Sequence, residues 1–262
     1  MEIKTAKISD FIYDFTEWQP AEDGSGLQPY VDSYLVIGSR RAAVIDTLQN
    51  KKGLYEAVRK LTDLPVDVLI THGHLDHCGI STKEFAEAGC RIFMCLSDYD
   101  LLMSMVQFPE KKWFTDLHDG DRFDLGGRVL ETIACGGHSP GSVVFLDRAE
   151  QIMFSGDSIG SANFWMQLPS CLPLHEFQKN LSRLAENVST LDRLQIYPGH
   201  RAQAPAALTG QYIKDTLTLT KLLVQGETEG ADAAMDIDGV HIDYKIAALG
   251  TMLNFCYDPK NL

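Results

Sequence analysis

No apolar run in the chain approaches the roughly 20 residues that a bilayer-spanning helix needs, so no helical membrane span is expected. No basic stretch followed by an apolar one opens it, and "MEIKTAKISDFIYDF" does not read as a secretory signal. The six cysteines (Cys78, Cys90, Cys95, Cys135, Cys171 and Cys256) form no C-x-x-C pair. Their scatter fits buried free thiols in a reducing cytoplasm better than a disulfide framework. Basic residues are scarce: 23 Lys and Arg stand against 36 Asp and Glu, a formal net charge of -13, with no Lys/Arg run. Such a surface repels phosphate backbones and anionic membranes, so neither nucleic acid nor a membrane is the expected partner. Low-complexity segments and internal repeats are also missing, and the oligomeric state, a homo-oligomer included, stays open.

What is present is enough core material for one large domain: 45% of 262 residues are hydrophobic. "SYLVIG" and "RAAVIDT", joined by Gly-Ser-Arg, read as a hairpin. Leu54, Ala57, Val58 and Leu61 recur at helical spacing before Pro65, and "VDVLIT" follows as a strand. Helices are expected near Ile80–Ala88, Asp98–Val106 and Leu174–Ser189. "CRIFMC", "DRFDLGGRVLETIAC" (two strands meeting at Gly126-Gly127), "SVVFLD", "QIMFSG" and "RLQIYPG" supply further strands. Strands and helices mix in both halves without regular βαβ alternation, which favours two sheets between helices over a doubly wound parallel sheet. Residues 1–204 hold the motifs described next. Residues 205–262 read as a C-terminal extension on the same domain, helical over "AALTGQYIKDTLTLTKLLVQG" and then a closing strand or helix.

Three of the chain's eight histidines fall in "LITHGHLDHCG" as His72, His74 and His77, with Asp76 between them. Core packing does not explain this density. Imidazole nitrogen and carboxylate oxygen are donors that borderline divalent metals accept. On an extended backbone His72, His74 and Asp76 share a face. Further donors follow, each delivered by an apolar strand to a Gly-containing loop: His138 in "CGGHSPGS", Asp157 in "MFSGDS" and His200 in "IYPGH".

The ordered set HGHLDH, GGHSPGS, SGDS and PGH resembles the metallo-β-lactamase-fold hydrolase superfamily, over about Asp46 to His200. The resemblance implies a four-layer αββα sandwich, here with a C-terminal helical extension, and a binuclear centre at one edge of its sheets. It implies that His72, His74 and His138 hold one metal, that Asp76, His77 and His200 hold the other, and that Asp157 bridges them. It also implies that Asp46, ending "AVID", supports the ligands from beneath. The cofactors would be two divalent ions, zinc first, with iron or manganese as alternatives. Such ions lower the pKa of water towards ~7, giving a bridging hydroxide that attacks a carbonyl. They also hold the charge that develops on the carbonyl oxygen, and Asp76 could shuttle a proton.

Departures from subfamily patterns narrow the choice. The commonest zinc β-lactamases carry cysteine where this chain has Asp157, and flavodiiron reductases carry glutamate where it has His74. No basic arm suggests a nuclease. Glyoxalase II and lactonases match all seven ligand positions, but Lys214, Lys221 and Lys245 are scattered, and "PGHRAQ" departs from the glyoxalase sequence after the last histidine. The expectation is a metal-dependent hydrolase of an ester, thioester or lactone. The alternatives are a non-catalytic metal-sensing module or a mono-iron enzyme resembling persulfide dioxygenases, which metal identity and count discriminate. The expected partner is a small molecule with an apolar or acyl moiety, its pocket walled by Phe164, Trp165 and Met166 in "SIGSANFWMQLPSCLP". A second wall is expected from Met103, Met105, Phe108, Trp113 and Phe114. His118, His175 and His241 read as surface or capping residues, and Cys78 as a packed thiol.

Overall fold

In β4 (Ala42–Ile45) and β5 (Val66–Leu69) every residue is buried, as continuous apolar strands covered on both faces require. The computed structural model that shows this describes residues 2–21, 24–50, 52–160, 163–204, 206–237, 239–250 and 253–262. The two strands are central in a seven-stranded sheet that runs in chain order through β1 (Glu2–Lys7), β2 (Ile12–Pro20), β3 (Leu27–Ile37), β4, β5, β6 (Arg91–Met94) and β7 (Phe114–Asp116). The first four strands are an antiparallel meander, and β4 to β7 are parallel. The hairpin read from sequence is β3–β4; β1 and β2 were not legible in it.

The second sheet contains β8 (Arg122–Asp124), β9 (Val129–Ala134), β10 (Val143–Asp147), β11 (Ile152–Gly156), β13 (Gln195–Pro198) and β14 (Leu208–Thr209). Period-two alternation sorts side chains into three cores. Ala43, Ile45 and Leu69 face Leu130, Val143, Phe145 and Phe154 between the sheets. Val44 and Val68 face outward under α1 (Leu54–Arg59), α2 (Ser81–Glu87) and α3 (Tyr99–Met105), with Leu54, Val58, Phe85 and Leu102. Val144, Leu146 and Ile196 face outward on the other side, under α4 (Leu174–Asn187) and α5 (Gly210–Val224), with Phe177, Leu181 and Ile213. The result is the helix–sheet–sheet–helix order expected from sequence.

In the C-terminal part the expected helix is α5, and of the two alternatives for the closing stretch the structure takes the strand. After α5 it forms β15 (Ala231–Ile237), β16 (Val240–Leu249) and β17 (Leu253–Tyr257), which join β12 (Asn163–Met166) in a third sheet of order β12-β17-β16-β15. Leu253, Phe255 and Tyr257 enter the core beneath α5 at every second position, a strand period that a short apolar run hides. Residues 251 and 252, in the stretch read as a closing element, lie outside the described residues, as does Pro205.

Asp67 clips the first sheet together. It is buried on β5 and accepts from Arg41 Nη2 at 2.6 Å and Nε at 2.9 Å, and from Arg91 Nη2 at 2.7 Å and Nε at 2.8 Å. Burial pushes its carboxyl up, but the two guanidiniums outweigh burial and hold it below its ordinary range. Asp67→Ala should lower the unfolding free energy by about 2 kcal/mol in urea titrations at pH 7, at the low end for a buried pair because Arg91 is half exposed. A depressed carboxyl pKa stabilises the fold above the unfolded-state value and ceases to do so below the folded one. The gap between wild type and variant should therefore close in acid.

Candidate metal centre

Strands β9, β11 and β13 run in one direction: β9 and β11 are each antiparallel to β10, and β11 is parallel to β13. Their C-terminal ends therefore open on one edge, and His138, Asp157 and His200 follow those ends. The His72–His77 loop follows β5 on the same edge, where Val143 N–H donates to the Thr71 carbonyl at 2.9 Å. All seven predicted donors meet there. His72, His74 and His138 form one group; Asp76, His77 and His200 form another; His72, His77 and Asp157 overlap both. Within each group the donor atoms lie within 4.8 Å of one another.

Each imidazole turns one nitrogen to the centre and anchors the other. His72 Nδ1 lies 3.1 Å from Thr71 Oγ1, and His74 Nε2 lies 3.3 Å from Ser170 Oγ. His138 Nδ1 donates to the Trp165 carbonyl at 2.7 Å, and His200 Nδ1 to the Tyr30 carbonyl at 2.5 Å. His77 Nδ1 is 2.8 Å from Asp46 Oδ2. Such second partners fix ring orientation and tautomer in metal sites.

The inward atoms lack ordinary partners. His77 Nε2 and Asp157 Oδ1 are buried with no hydrogen bond. His138 Nε2 and His74 Nδ1 face each other at 2.8 Å, and His72 Nε2 and His74 Nδ1 at 3.1 Å. Ring nitrogens converging at these distances, with the opposite nitrogen of each ring already engaged, are an arrangement of donors that fits a metal. Asp157 reaches both groups: Oδ2 is 3.3 Å from His200 Nε2 and 3.7 Å from His138 Nε2.

Electrostatics divide the centre. Burial and the neighbouring histidines hold His72 well below its usual range, and burial with His138 pushes His74 down to about 3. Burial also acts to lower His77, but Asp76, Asp157 and Asp46 outweigh it and hold the ring up at about 9. His200 is raised likewise, with Asp157 and Asp76 overcoming burial. Burial pulls Asp76 and Asp157 up, but His77 and His200 outweigh it and hold both well below the carboxylate range. Asp46 is raised by burial, against the stabilisation from His77 and Thr71.

Three residues that the sequence did not single out position the loops. Asp98, fully buried, accepts from Gly73 N–H at 2.9 Å, Ser139 Oγ at 2.5 Å and Gly141 N–H at 2.6 Å, tying the His72 loop to the His138 loop. Asp14 and Asp32 lie on β2 and β3 below His200. Arg201 grips Asp14 Oδ2 through Nη2 at 2.6 Å and Nε at 3.0 Å. Asp32 accepts Thr16 Oγ1 at 2.6 Å, and its N–H donates to the Gly199 carbonyl at 2.7 Å. At Gly199 a Cβ would collide with His77 and Asp157, so only glycine lets the last loop pass this close to them.

The expected pocket wall needs correction. In β12 the strand period sends Phe164 and Met166 into the core under α4, where Phe164 packs on Phe177 and Phe255. Only Trp165 of the trio keeps solvent access, and Ser161 and Ala162 of the same stretch lie outside the described residues. In the second wall, Phe114 and Trp113 pack into the core of the first sheet. Cys78 is buried beside Thr82, and burial pushes its thiol up to about 12, as befits a packed thiol. His118, His175 and His241 lie away from the centre, beside Asp116, the Leu262 carbonyl and Asp236 respectively.

A helix–sheet–sheet–helix sandwich that gathers five imidazoles and two carboxylates at one edge of its paired sheets has the architecture of a metallo-β-lactamase fold. The profile of the metallo-beta-lactamase superfamily matches residues 28–200, and the chain belongs to that superfamily. The chain is 25% identical over 219 residues to the human acyl-coenzyme A thioesterase MBLAC2, covering 64% of this chain and 71% of that protein. It is 26% identical over 181 residues to the hydroxyacylglutathione hydrolase GloC of Haemophilus influenzae, covering 62% and 80%. An uncharacterized protein of Mycobacterium tuberculosis is 30% identical over 139 residues, and the match spans 45% of this chain and 62% of that protein's length. A metallo-beta-lactamase from Pontibacter korlensis superposes with TM-score 0.66 at 20% identity, over 84% of this chain and 99% of that one. At that identity the likeness concerns the fold alone.

Asp98→Ala should leave three buried donors unpaired and lower stability by on the order of 3 kcal/mol. Metal analysis of the refolded variant should show less metal than wild type. At the other loop, burial and Asp32 push Asp14 up to about 7, and burial raises Asp32 as well, so folding favours the protonated form of this pair. Asp14 Oδ1 is buried without a partner. A carboxyl raised by folding makes the native state bind more protons, so this contribution to stability falls as pH climbs from about 4 towards 7. Asp32→Asn removes the neighbouring negative charge and should flatten that slope at little cost at pH 7. Asp14→Asn strands Arg201 and should cost on the order of 2 kcal/mol, read by denaturant titration across the same pH range.

Proposed function

We propose that this chain is a metal-dependent hydrolase of acyl thioesters. The observation that carries the reading is the set of seven convergent donors, five of them imidazoles with the outward nitrogen engaged, around His77 Nε2 and Asp157 Oδ1, which lie 3.5 Å apart and make no hydrogen bond. His72, His74 and His138 would hold one divalent ion; Asp76, His77 and His200 a second; Asp157 would contact both, with zinc the expected metal. When bound, the ions supply Lewis acidity towards a carbonyl and a water acidified to near neutral pH. The chain supplies the rest. Asp76, Asp157 and His200 keep side-chain exposures of 19%, 17% and 13% in an otherwise sealed cluster, so a carbonyl reaches the centre from their side. Asp76, 3.4 Å from His200 Nε2, is placed to pass a proton to the leaving group.

A protein nucleophile is disfavoured. Cys171 directs its thiol at the His138 carbonyl at 3.3 Å and is pushed up to about 12 by burial, which leaves no thiolate at neutral pH. Names among the relatives, an acyl-coenzyme A thioesterase and a hydroxyacylglutathione hydrolase, favour thioesters over the ester and lactone alternatives.

Purified protein should carry about two transition-metal ions per chain. Asp157→Ala should lose at least one, chelation should abolish thioester turnover, Cys171→Ala should retain it, and Ser170→Ala, which frees His74 Nε2, should lower it without abolishing it. Retention of both metals and full activity by Asp157→Ala would sink the bridging role. One iron per chain would turn the reading to the mono-iron alternative.

The pKa directions give a second test. His77, held up at about 9, and His200 both carry protons at pH 7 in the metal-free protein, whereas His72 and His74 do not. Uptake of the second ion should therefore release more protons than uptake of the first, and its affinity should climb with pH towards 9. Calorimetry in buffers of different ionisation enthalpy reads this directly.

A further inference from the structure

The third sheet has one face that none of the three cores uses. Its register identifies the residues. Trp165 on β12 pairs with Cys256 on β17, and Cys256 pairs with Ile246 on β16. Alternation along β16 puts Tyr244 and Ile242 on the same face, and their partners on β15 are Ala233 and Met235. An apolar stripe therefore crosses all four strands. Trp165, Ile246, Tyr244 and Met235 are half-buried, and Cys256 and Ile242 buried, yet none belongs to a hydrophobic core cluster. The opposite face of the β15–β16 hairpin is charged and exposed, with Asp232, Asp236, His241 and Asp243.

The stripe begins at the candidate centre. Trp165 holds His138 through its carbonyl, and Ser170, four residues beyond Met166, touches His74. Between them Gln167, on the Trp165 side of the chain, is buried. Its Nε2 lies 3.5 Å from Met235 Sδ at the far strand, and its Oε1 is buried without a partner. One end of this apolar surface is thus continuous with the loop that supports two of the imidazoles.

We propose that the stripe binds the acyl chain of the substrate, a straight medium-length alkyl group lying across the third sheet with its thioester carbonyl at the His/Asp centre. The assignment rests on the thioesterase reading. Three strand spacings of about 4.8 Å give a surface roughly 14 Å across, the reach of an acyl group of about ten carbons. The half-burial of the stripe suits an alkyl chain that slots between side chains, and the charged reverse face excludes docking from that side.

The test is turnover of acyl-N-acetylcysteamine thioesters from two to twelve carbons. Wild type should gain up to about fourfold in kcat/KM per methylene to roughly ten carbons and then level off. Ile246→Ser and Tyr244→Ala should each lower the decanoyl-to-acetyl ratio of kcat/KM at least tenfold with two metals still bound. Asp243→Ser, on the reverse face, should leave the ratio unchanged. Met235→Ser on the edge strand replaces either variant if it fails to fold. Turnover with a flat chain-length profile, or an unchanged ratio in the stripe variants, would overturn the acyl site and leave the thioesterase reading standing. If no thioester is turned over, calorimetry with decanoate separates the two. Binding weakened by Ile246→Ser keeps the site while the thioesterase reading falls, and no binding overturns the site.

Discussion

The carboxylate of Asp46 sits buried where β3, β4 and the histidine loop meet. Oδ1 accepts the Thr71 N–H at 2.7 Å; Oδ2 accepts the Thr71 hydroxyl and faces His77 Nδ1, both at 2.8 Å. Its own carbonyl accepts from Ser33 at 2.9 Å, and its N–H donates to the Leu69 carbonyl at 3.1 Å. To reach all of these the residue adopts φ 60°, a left-handed conformation that aspartate tolerates better than most residues. With Nδ1 committed to Asp46, His77 presents Nε2 to the centre. The order of the HGHLDH loop is thus set from below, by a group that touches no substrate.

The same device recurs twice. Asp98 gathers the His72 and His138 loops, and Asp32, with the Asp14–Arg201 pair, gathers the His200 loop. Each buried carboxylate accepts from backbone N–H groups or cationic side chains of a loop rich in glycine, where the backbone has few partners of its own. A chain with an excess of acid residues places several inside as acceptors and loads the rest on its surface. The cost of burying each is offset only while its partners stay in place, which ties each loop to its carboxylate.

Much of this was legible beforehand, for a chemical reason. Metal donors come from a short list of residue types, and four of them lie within six positions, so the motif survives without knowledge of the fold. The strands that deliver His138, Asp157 and His200 are apolar runs ended by glycine, and they read equally well. Asp98 was not legible because its three partners lie 25, 41 and 43 residues away, and "LSDYD" looks like the start of a helix. Asp14 and Asp32 were not legible because the His200 loop they hold lies 187 and 170 residues away, at Arg201 and Ala202. Phe164 and Met166 were misplaced because an apolar segment beside a metal motif can face either way. Pairing with β17 decided it, and that strand lies some ninety residues downstream, in a stretch whose apolar run did not separate strand from helix.

The partnership of β12 with β17 also bears on how the molecule comes apart. β17 is held on one face by Leu253, Phe255 and Tyr257 in the core beneath α5, and at its edge by β12. When β17 peels away, β12 loses its neighbour, and with it the backbone carbonyl of Trp165 that keeps His138 oriented. His77 and His200 are moored instead to Asp46 and Tyr30 on the first sheet and do not feel that excursion. The two halves of one cluster are therefore moored to different sheets, His138 to the third and His77 and His200 to the first.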